Sequence, residues 1–495
     1  MVPIRNIQDR GDSEVTDIFQ ASAFDIAAAI RAGEMTSEQA VGRSIERCRQ
    51  VNAVINAIVK DRYEDALKEA KAADRAIAKA REAGKLDELA AKQPLLGVPC
   101  SVKESIQMKG MPNTAGLVNR IGIQIEKDAP TVAAMRKAGA VVLGVTNISE
   151  ACMWMESFNK VYGLSRNPYD PSRTVGASSG GEGAIVGSGA VSFGIGSDVG
   201  GSIRMPSFFN GIFGHKCSPG LISNAGQFPE STGEIDRYLS TGPMCRRATD
   251  LEPLARIMAG KTQNRLKPVG EVDISKLHVL RFAKERAVKP DADQLKATDR
   301  AVAALQARGA RLRTIDLPLM AKAFDLWSAM LASAGSEKLF ADHLFGSRNP
   351  LYPLRELVRL AMFRSDNTLP LVGLSLLEHV PSVFKGRQER LVKEALDLRA
   401  RLRDALGDDG ILVTVPYPTP APKHYVPLIP PFKFVNCAIF NAMSLPVTSV
   451  PTGLNAAGLP TGVQVVGNEG NDHLTIAAAV ALEEALGGWQ APRVV

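Results

Sequence analysis

Between residues 22 and 50 apolar side chains return at helical spacing: Phe24, Ile26, Ala27 and Ile30, then Ala40, Val41 and Ile45. Thr36-Ser37-Glu38 lies between the two groups and supplies helix-start chemistry, so two helices are expected. Residues 62–83 are rich in Ala, Lys, Glu and Arg and predict an exposed helix. The pattern then changes. Leu95-Leu96-Gly97-Val98-Pro99 reads as a turn into a short buried strand, Ser101-Val102-Lys103, which would carry Lys103 inside the protein. Residues 129–146 predict a helix stopped at Gly139 and a strand after it, and the same unit returns at 293–316. Residues 445–453 and 461–467 read as core strands, and a final alanine-rich helix is expected over 471–486. Helix-then-strand alternation implies an α/β sandwich around a largely buried sheet.

Residues 318–405 lack strand signals. They carry Trp327, Met330, Leu331, Phe340, Phe345, Leu357, Met362, Phe363, Leu374, Leu377 and Phe384 at positions that read as helices. Helical core packing, an apolar channel or lid, and an oligomer interface all fit this segment. Residues 411–435 are proline-rich and are expected to rim a site.

The chain has 495 residues, 45% of them apolar, which permits a large core and argues against disorder. Its net charge of +7 is spread over amphipathic helices, with no arginine-rich run, so no nucleic-acid partner is expected. The six cysteines, at 48, 100, 152, 217, 245 and 437, form no Cys-x-x-Cys pair and stand at no metal spacing with histidine. They read as free buried thiols. No nucleotide loop or metal motif is visible, so neither a metal nor another cofactor is expected. The N-terminal stretch has no apolar secretory core, and no run of 18 apolar residues occurs. A cytoplasmic chain without a membrane span is the expectation, with a homodimer as the default assembly.

The chemistry concentrates in residues 176–206. Gly-Ala-Ser-Ser-Gly-Gly-Glu-Gly-Ala is followed by a small-residue run and then Gly-Ser-Asp-Val-Gly-Gly-Ser-Ile-Arg-Met-Pro. Two glycine-flanked serines, Ser178 and Ser202, are offered. A serine attacks only with a base beside it and donors for the oxyanion, and glycines let bare backbone N–H groups approach a reacting carbonyl. The candidate base is Lys103, in Gly-Val-Pro-Cys-Ser-Val-Lys-Glu-Ser. A lysine works as a base only when neutral. Bringing its pKa from about 10.4 to near neutrality takes roughly 4–5 kcal/mol, which burial can supply. Val98, Val102 and Ile106 fit such a setting; Glu104 would oppose it if close.

These three motifs, with Lys103 and Ser178 75 residues apart and Ser202 following Ser178 by 24 positions, resemble the amidase signature family of serine hydrolases. Cys-Met-Trp-Met-Glu-Ser (152–157), residues 205–216 and Thr-Gly-Pro-Met-Cys-Arg (241–246) look like its fatty acid amide hydrolase branch. The likeness runs from about residue 22 to 488 and is weak between about 265 and 410. It implies a three-layer α/β/α fold with a large mixed central sheet, built as one domain over 22–490 behind an N-terminal arm, 1–21, with 318–405 as a helical insertion or lid. It implies a nucleophile at Ser202, a bridging Ser178 on a cis peptide bond, Lys103 as base, and oxyanion donors on Val199, Gly200, Gly201 and Ser202. An apparent helix over 203–209 would add its N-terminal dipole to those donors. Ser179, Asp198 and Arg204 would hold the loop, and His215 reads as structural. Met153, Trp154 and Met155 either line an acyl pocket or pack in the core.

The reading that follows is hydrolysis of a hydrophobic amide, fatty acyl or aryl, as a small-molecule substrate. Anilides, carbamates and esters share the machinery. The amidase-like subunit of a glutamine-dependent aminoacyl-tRNA amidotransferase is a second reading, and a catalytically dead binding protein a third. Arg348, Arg355 and Arg364 fall in the apolar segment without an assigned role.

Overall fold

The computed structural model describes residues 17–334, 352–378, 385–428 and 430–493. Thirteen strands follow in chain order: β1 (Ile58–Asp61), β2 (Pro99–Lys103), β3 (Val141–Thr146), β4 (Phe158–Asn159), β5 (Gly163–Leu164), β6 (Phe193–Asp198), β7 (Phe213–Lys216), β8 (Ser240–Cys245), β9 (His278–Phe282), β10 (Arg311–Ile315), β11 (Gly410–Thr414), β12 (Val447–Leu454) and β13 (Pro460–Gly467). β4 and β5 make a small ribbon. The other eleven form one mixed sheet in the order β1-β3-β2-β6-β8-β7-β12-β13-β11-β9-β10.

The sheet is apolar on both faces, because helices cover both. Alternation along single strands sorts the residues. Val279, Ile411, Val413 and Val465 pack into one core with the helices Ala23–Ala32, Pro130–Lys137, Leu251–Ala259, Ala292–Ala307 and Asp472–Leu486. Their neighbours Leu280, Leu412 and Val466 point the other way, against the helices Ala323–Ser333, Lys385–Leu406 and Val435–Ala442. On that second face, toward β3, Val141 and Leu143 meet Ser37–Ile55 and Gly180–Gly187. The α/β layering expected from the alternation, with the α/β/α arrangement that the resemblance implied, is present. Thr36 caps its helix with a full capping box, its hydroxyl on the Gln39 N–H and the Gln39 side chain on its own.

Several expectations need correction. Residues 410–414 are a buried strand between β13 and β9, not part of a rim; the prolines begin only at Pro416. The helix after Ser202 starts at Arg204, not at residue 203, and has six residues. The end of the expected N-terminal arm is docked: buried Arg246 donates to Ile18 O at 2.9 Å and Ala21 O at 3.4 Å. Residues 1–16 lie outside the described residues.

The 318–405 segment divides in two. Leu326, Met330, Leu398 and Leu402 are buried core. The helix Tyr352–Ala361 and the turn after it instead expose Leu354, Leu357, Val358, Met362 and Phe363. Phe340, Phe345, Arg348 and Phe384 lie outside the described residues. No described helix is long and apolar enough to cross a membrane.

Candidate active site

β2 delivers Lys103. Its strand neighbours alternate, so Cys100 and Val102 enter the large core while Ser101 and Lys103 face the other way. Val98, Val102 and Ile106 are therefore not what surrounds the amine. Lys103 is 0% exposed in a pocket of hydroxyls. Its Nζ donates to Ser178 Oγ at 2.6 Å and to Ser197 Oγ at 2.9 Å. Burial pushes its pKa below the usual lysine value, against the opposing pull of Cys152, Asp198 and Glu182. Glu104 does not oppose it: its carboxylate turns to Thr114 Oγ1 at 2.8 Å, the Ala115 N–H at 2.9 Å and Tyr162 OH at 2.9 Å.

Ser178 follows a cis peptide bond from Ala177, as the resemblance implied. Ser179 is tied to β6 in both directions, its hydroxyl donating to Ser197 O and accepting from Ser197 N, both at 3.2 Å. Its N–H donates to Ser202 O at 3.2 Å, which joins the loop of Ser178 to that of Ser202. The Ser202 hydroxyl itself makes no hydrogen bond among the described residues, so the expected direct bond from Ser178 to Ser202 is not formed. The side chain is 7% exposed and its hydroxyl is free to turn.

Asp198, at the end of β6, and Arg204 form a fully buried bidentate pair, Nε to Oδ2 and Nη2 to Oδ1, each 3.0 Å. Burial pushes the Asp198 carboxyl up, but the Arg204 charge and hydrogen bonds prevail and hold it well below the usual carboxylate range. Arg204 also reaches Cys437 O at 2.8 Å and Gln464 Oε1 at 3.1 Å, and Asn441 Nδ2 donates to Asp198 O at 2.9 Å. The loop 199–203 is thus strapped to the helix Val435–Ala442.

Asp198 corrects the oxyanion expectation as well. Its Oδ1 takes the Gly201 N–H at 2.8 Å and its Oδ2 the Ile203 N–H at 3.1 Å. Gly201 and the helix start are therefore occupied by the carboxylate. Gly200 and Ser202 keep N–H groups without an acceptor among the described residues, and Val199 and Gly200 are partly exposed. Gly201 needs glycine for two reasons: its φ is +114°, and a Cβ would stand 2.6 Å from Cys437 Cβ.

Beside this loop the wall is aromatic. A Cβ on Gly200 would lie 3.6 Å from Trp327 and 3.8 Å from Phe434, whose rings meet edge-on at 5.2 Å. Met155 is core, packed with Met205, Phe208, Phe209 and Tyr417, and half-buried Trp154 lies against that group. Met153 packs instead with Leu117, Ala151 and Leu371. The three candidate substrate contacts thus separate: Met155 lies in one cluster with Trp154 on its edge, and Met153 lies on the edge of another.

His215 is held between Thr448 Oγ1 at 2.9 Å and Asp472 Oδ1 at 3.1 Å. His215, Cys217 and Asp472 bring potential ligand atoms within 4.8 Å. Asp472, however, is committed to His215 and Ser218, and burial keeps the Cys217 thiol protonated, so the cluster works as a hydrogen-bonded brace. The reading of the sequence missed Ser197, Cys152 and Glu182. Ser197 could have been found from alternation along β6, had that strand been recognised.

The chain matches the Amidase family over residues 39–476. It is 44% identical to fatty-acid amide hydrolase 2-B of Danio rerio over 96% of this chain and 91% of that protein. It is likewise 44% identical to human fatty-acid amide hydrolase 2, over 95% and 90%. A solved structure of fatty acid amide hydrolase shares the fold, with a TM-score of 0.74 at 22% identity, over 95% of this chain and 86% of that one. The chain belongs to the amidase signature family and is an amide-hydrolysing enzyme, similar to fatty-acid amide hydrolases.

Proposed function

We propose that the chain hydrolyses hydrophobic carboxylic amides through Lys103, Ser178 and Ser202 by way of an acyl-enzyme. The observation that carries this reading is the buried Lys103 amine 2.6 Å from the Ser178 hydroxyl. Burial favours the neutral amine, which is the form that can accept a proton.

Neutral Lys103 takes the Ser178 proton as Ser178 takes that of Ser202. The Ser202 oxygen attacks the amide carbon, and the oxyanion is met by the N–H groups of Val199, Gly200 and Ser202, the donors left once Asp198 holds Gly201. One such donor is worth about 10²–10³ in rate. The proton returns from Lys103 through Ser178 to the amide nitrogen, the C–N bond breaks, and an amine leaves. The acyl group stays on Ser202 as an ester until water, activated along the same path, releases the acid. Protonating the nitrogen before departure matters, because an amide anion leaves very poorly. Trp327 and Phe434 beside Gly200 support an apolar acyl or aryl group over a small polar one.

The test is kcat/KM over long-chain acyl amides, anilides, aryl esters and small polar amides including glutamine, with fluorophosphonate labelling mapped by mass spectrometry. Hydrophobic amides are expected to lead, with the label on Ser202. Preference for glutamine, or no label there, contradicts the proposal.

A further inference from the structure

Glu182 is a fully buried carboxyl that the cycle above does not use. It projects from the helix Gly180–Gly187 toward β2 and β3. Its Oε2 contacts Ser101 Oγ at 2.6 Å and its Oε1 contacts Thr146 Oγ1 at 2.9 Å. Ser101 shares a strand face with Lys103, and Thr146 is the register partner of Lys103 on β3. The carboxyl is thus clasped by the residue one pleat before the base and by the residue directly across from it. Room for it is made by Gly194, which pairs with Ser101 on β6; a Cβ there would stand 1.8 Å from Oε2. Among the described residues Glu182 forms no ion pair. The titratable groups whose charge acts with it are Lys103 and, from the opposite face of β2, the Cys100 thiol. Lys103 is faced in turn by Cys152 and Asp198 as well.

We propose that Glu182 is a positioning residue that acts through Lys103, its state of protonation deciding the pH at which the base becomes free. The inference rests on Lys103 being the base. An acid and an amine buried close together titrate as a pair. The first proton leaves either Lys103, giving amine and acid, or Glu182, giving ammonium and carboxylate. The first form has a working base; the second does not. Burial disfavours both charges and pushes the Glu182 carboxyl up to about 8, so the two forms compete as the pH approaches neutrality. The Ser101 hydroxyl serves either state, donating to the carboxylate or accepting from the acid.

Glu182→Gln keeps the shape and the capacity to meet both hydroxyls but can never be an anion. The ammonium–carboxylate form disappears, and Lys103 gives up its proton more easily. The acid limb of the kcat/KM profile for one hydrophobic amide is therefore expected to move down by about one pH unit relative to the unmodified enzyme. Ser101→Ala and Thr146→Val each remove a donor to the carboxylate. They are expected to move the limb in the same direction by less, and they carry the test should Glu182→Gln fail to fold. Thermal melts establish which variants are folded. Folded variants whose rates fall while the limb stays in place would assign Glu182 to packing and overturn the inference. An acid limb that survives in Lys103→Ala would overturn the reading of Lys103 as base, and this inference with it.

Discussion

The surroundings of Lys103 favour its neutral form, the one the proposed role as base requires. Its buried amine ends at the Ser178 and Ser197 hydroxyls, with no ion pair among the described residues, and a hydroxyl suits the amine in either state. Asp198 is the opposite case, a carboxylate kept charged at full burial by Arg204. Removing one member leaves the other uncompensated, so Asp198→Asn is expected to cost about 3–5 kcal/mol, read from denaturant or thermal unfolding at pH 7. The sign with pH follows from the depressed native value. The pair's stabilisation is complete above the unfolded carboxylate range near about 4 and is lost as pH falls through the native pKa, so the gap between the two proteins should narrow only in acid. A gap independent of pH would show that the ion pair is not its source. The meeting of Lys103 and Ser178 was legible because serine chemistry needs a base, and glycine-bared donors stand near both serines in a recognisable order. Occupation of the Gly201 N–H by Asp198 was not legible, since it depends on where one carboxylate points in space. Cys152 beside Lys103 was not legible either, because consecutive left-handed residues, Ala151 and Cys152, turn that segment toward the base.

At the level of elements, β6 and the helix Gly180–Gly187 build the site together. Gly194 and Gly196 on one face of β6 let the helix and its preceding loop press onto the strand; a Cβ on Gly196 would stand 3.1 Å from Ser179 Oγ. Gly181 meets the end of β3 more closely still, its would-be Cβ 2.4 Å from the Asn147 backbone nitrogen. Gly194→Ala should therefore displace the Glu182 carboxyl, lower stability by about 1–3 kcal/mol and shift the acid limb of the rate profile. An unchanged melting temperature with an unchanged limb would contradict this packing account. The same glycines hid β6 in the sequence, where 176–206 reads as a loop and a run of small residues, because strand propensity there is overridden by close packing. β3, β10, β12 and β13 were legible from β-branched runs bounded by turns. β11 was not, since the short run Ile411–Thr414 passes directly into prolines.

For the whole molecule, helix–strand alternation was enough to give a layered α/β chain with helices on both faces. The order of the eleven strands was not readable, because mixed pairing is set by contacts far apart in sequence. The division of 318–405 was also hidden. Apolar residues at helical spacing look alike whether they fill a core, as Leu326 and Met330 do, or face outward, as Leu354 and Val358 do. What the architecture accomplishes is the burial of one amine at the end of β2, beneath two serine loops held together by backbone. The measurement that tests this most directly is kcat/KM of Lys103→Ala against an amide and an ester sharing one acyl group. If the amine both activates Ser202 and returns a proton to the leaving nitrogen, the amide rate should fall at least tenfold further than the ester rate, since an alkoxide departs without that proton far more readily. Equal losses for the two substrates would contradict a proton relay from Lys103 through Ser178.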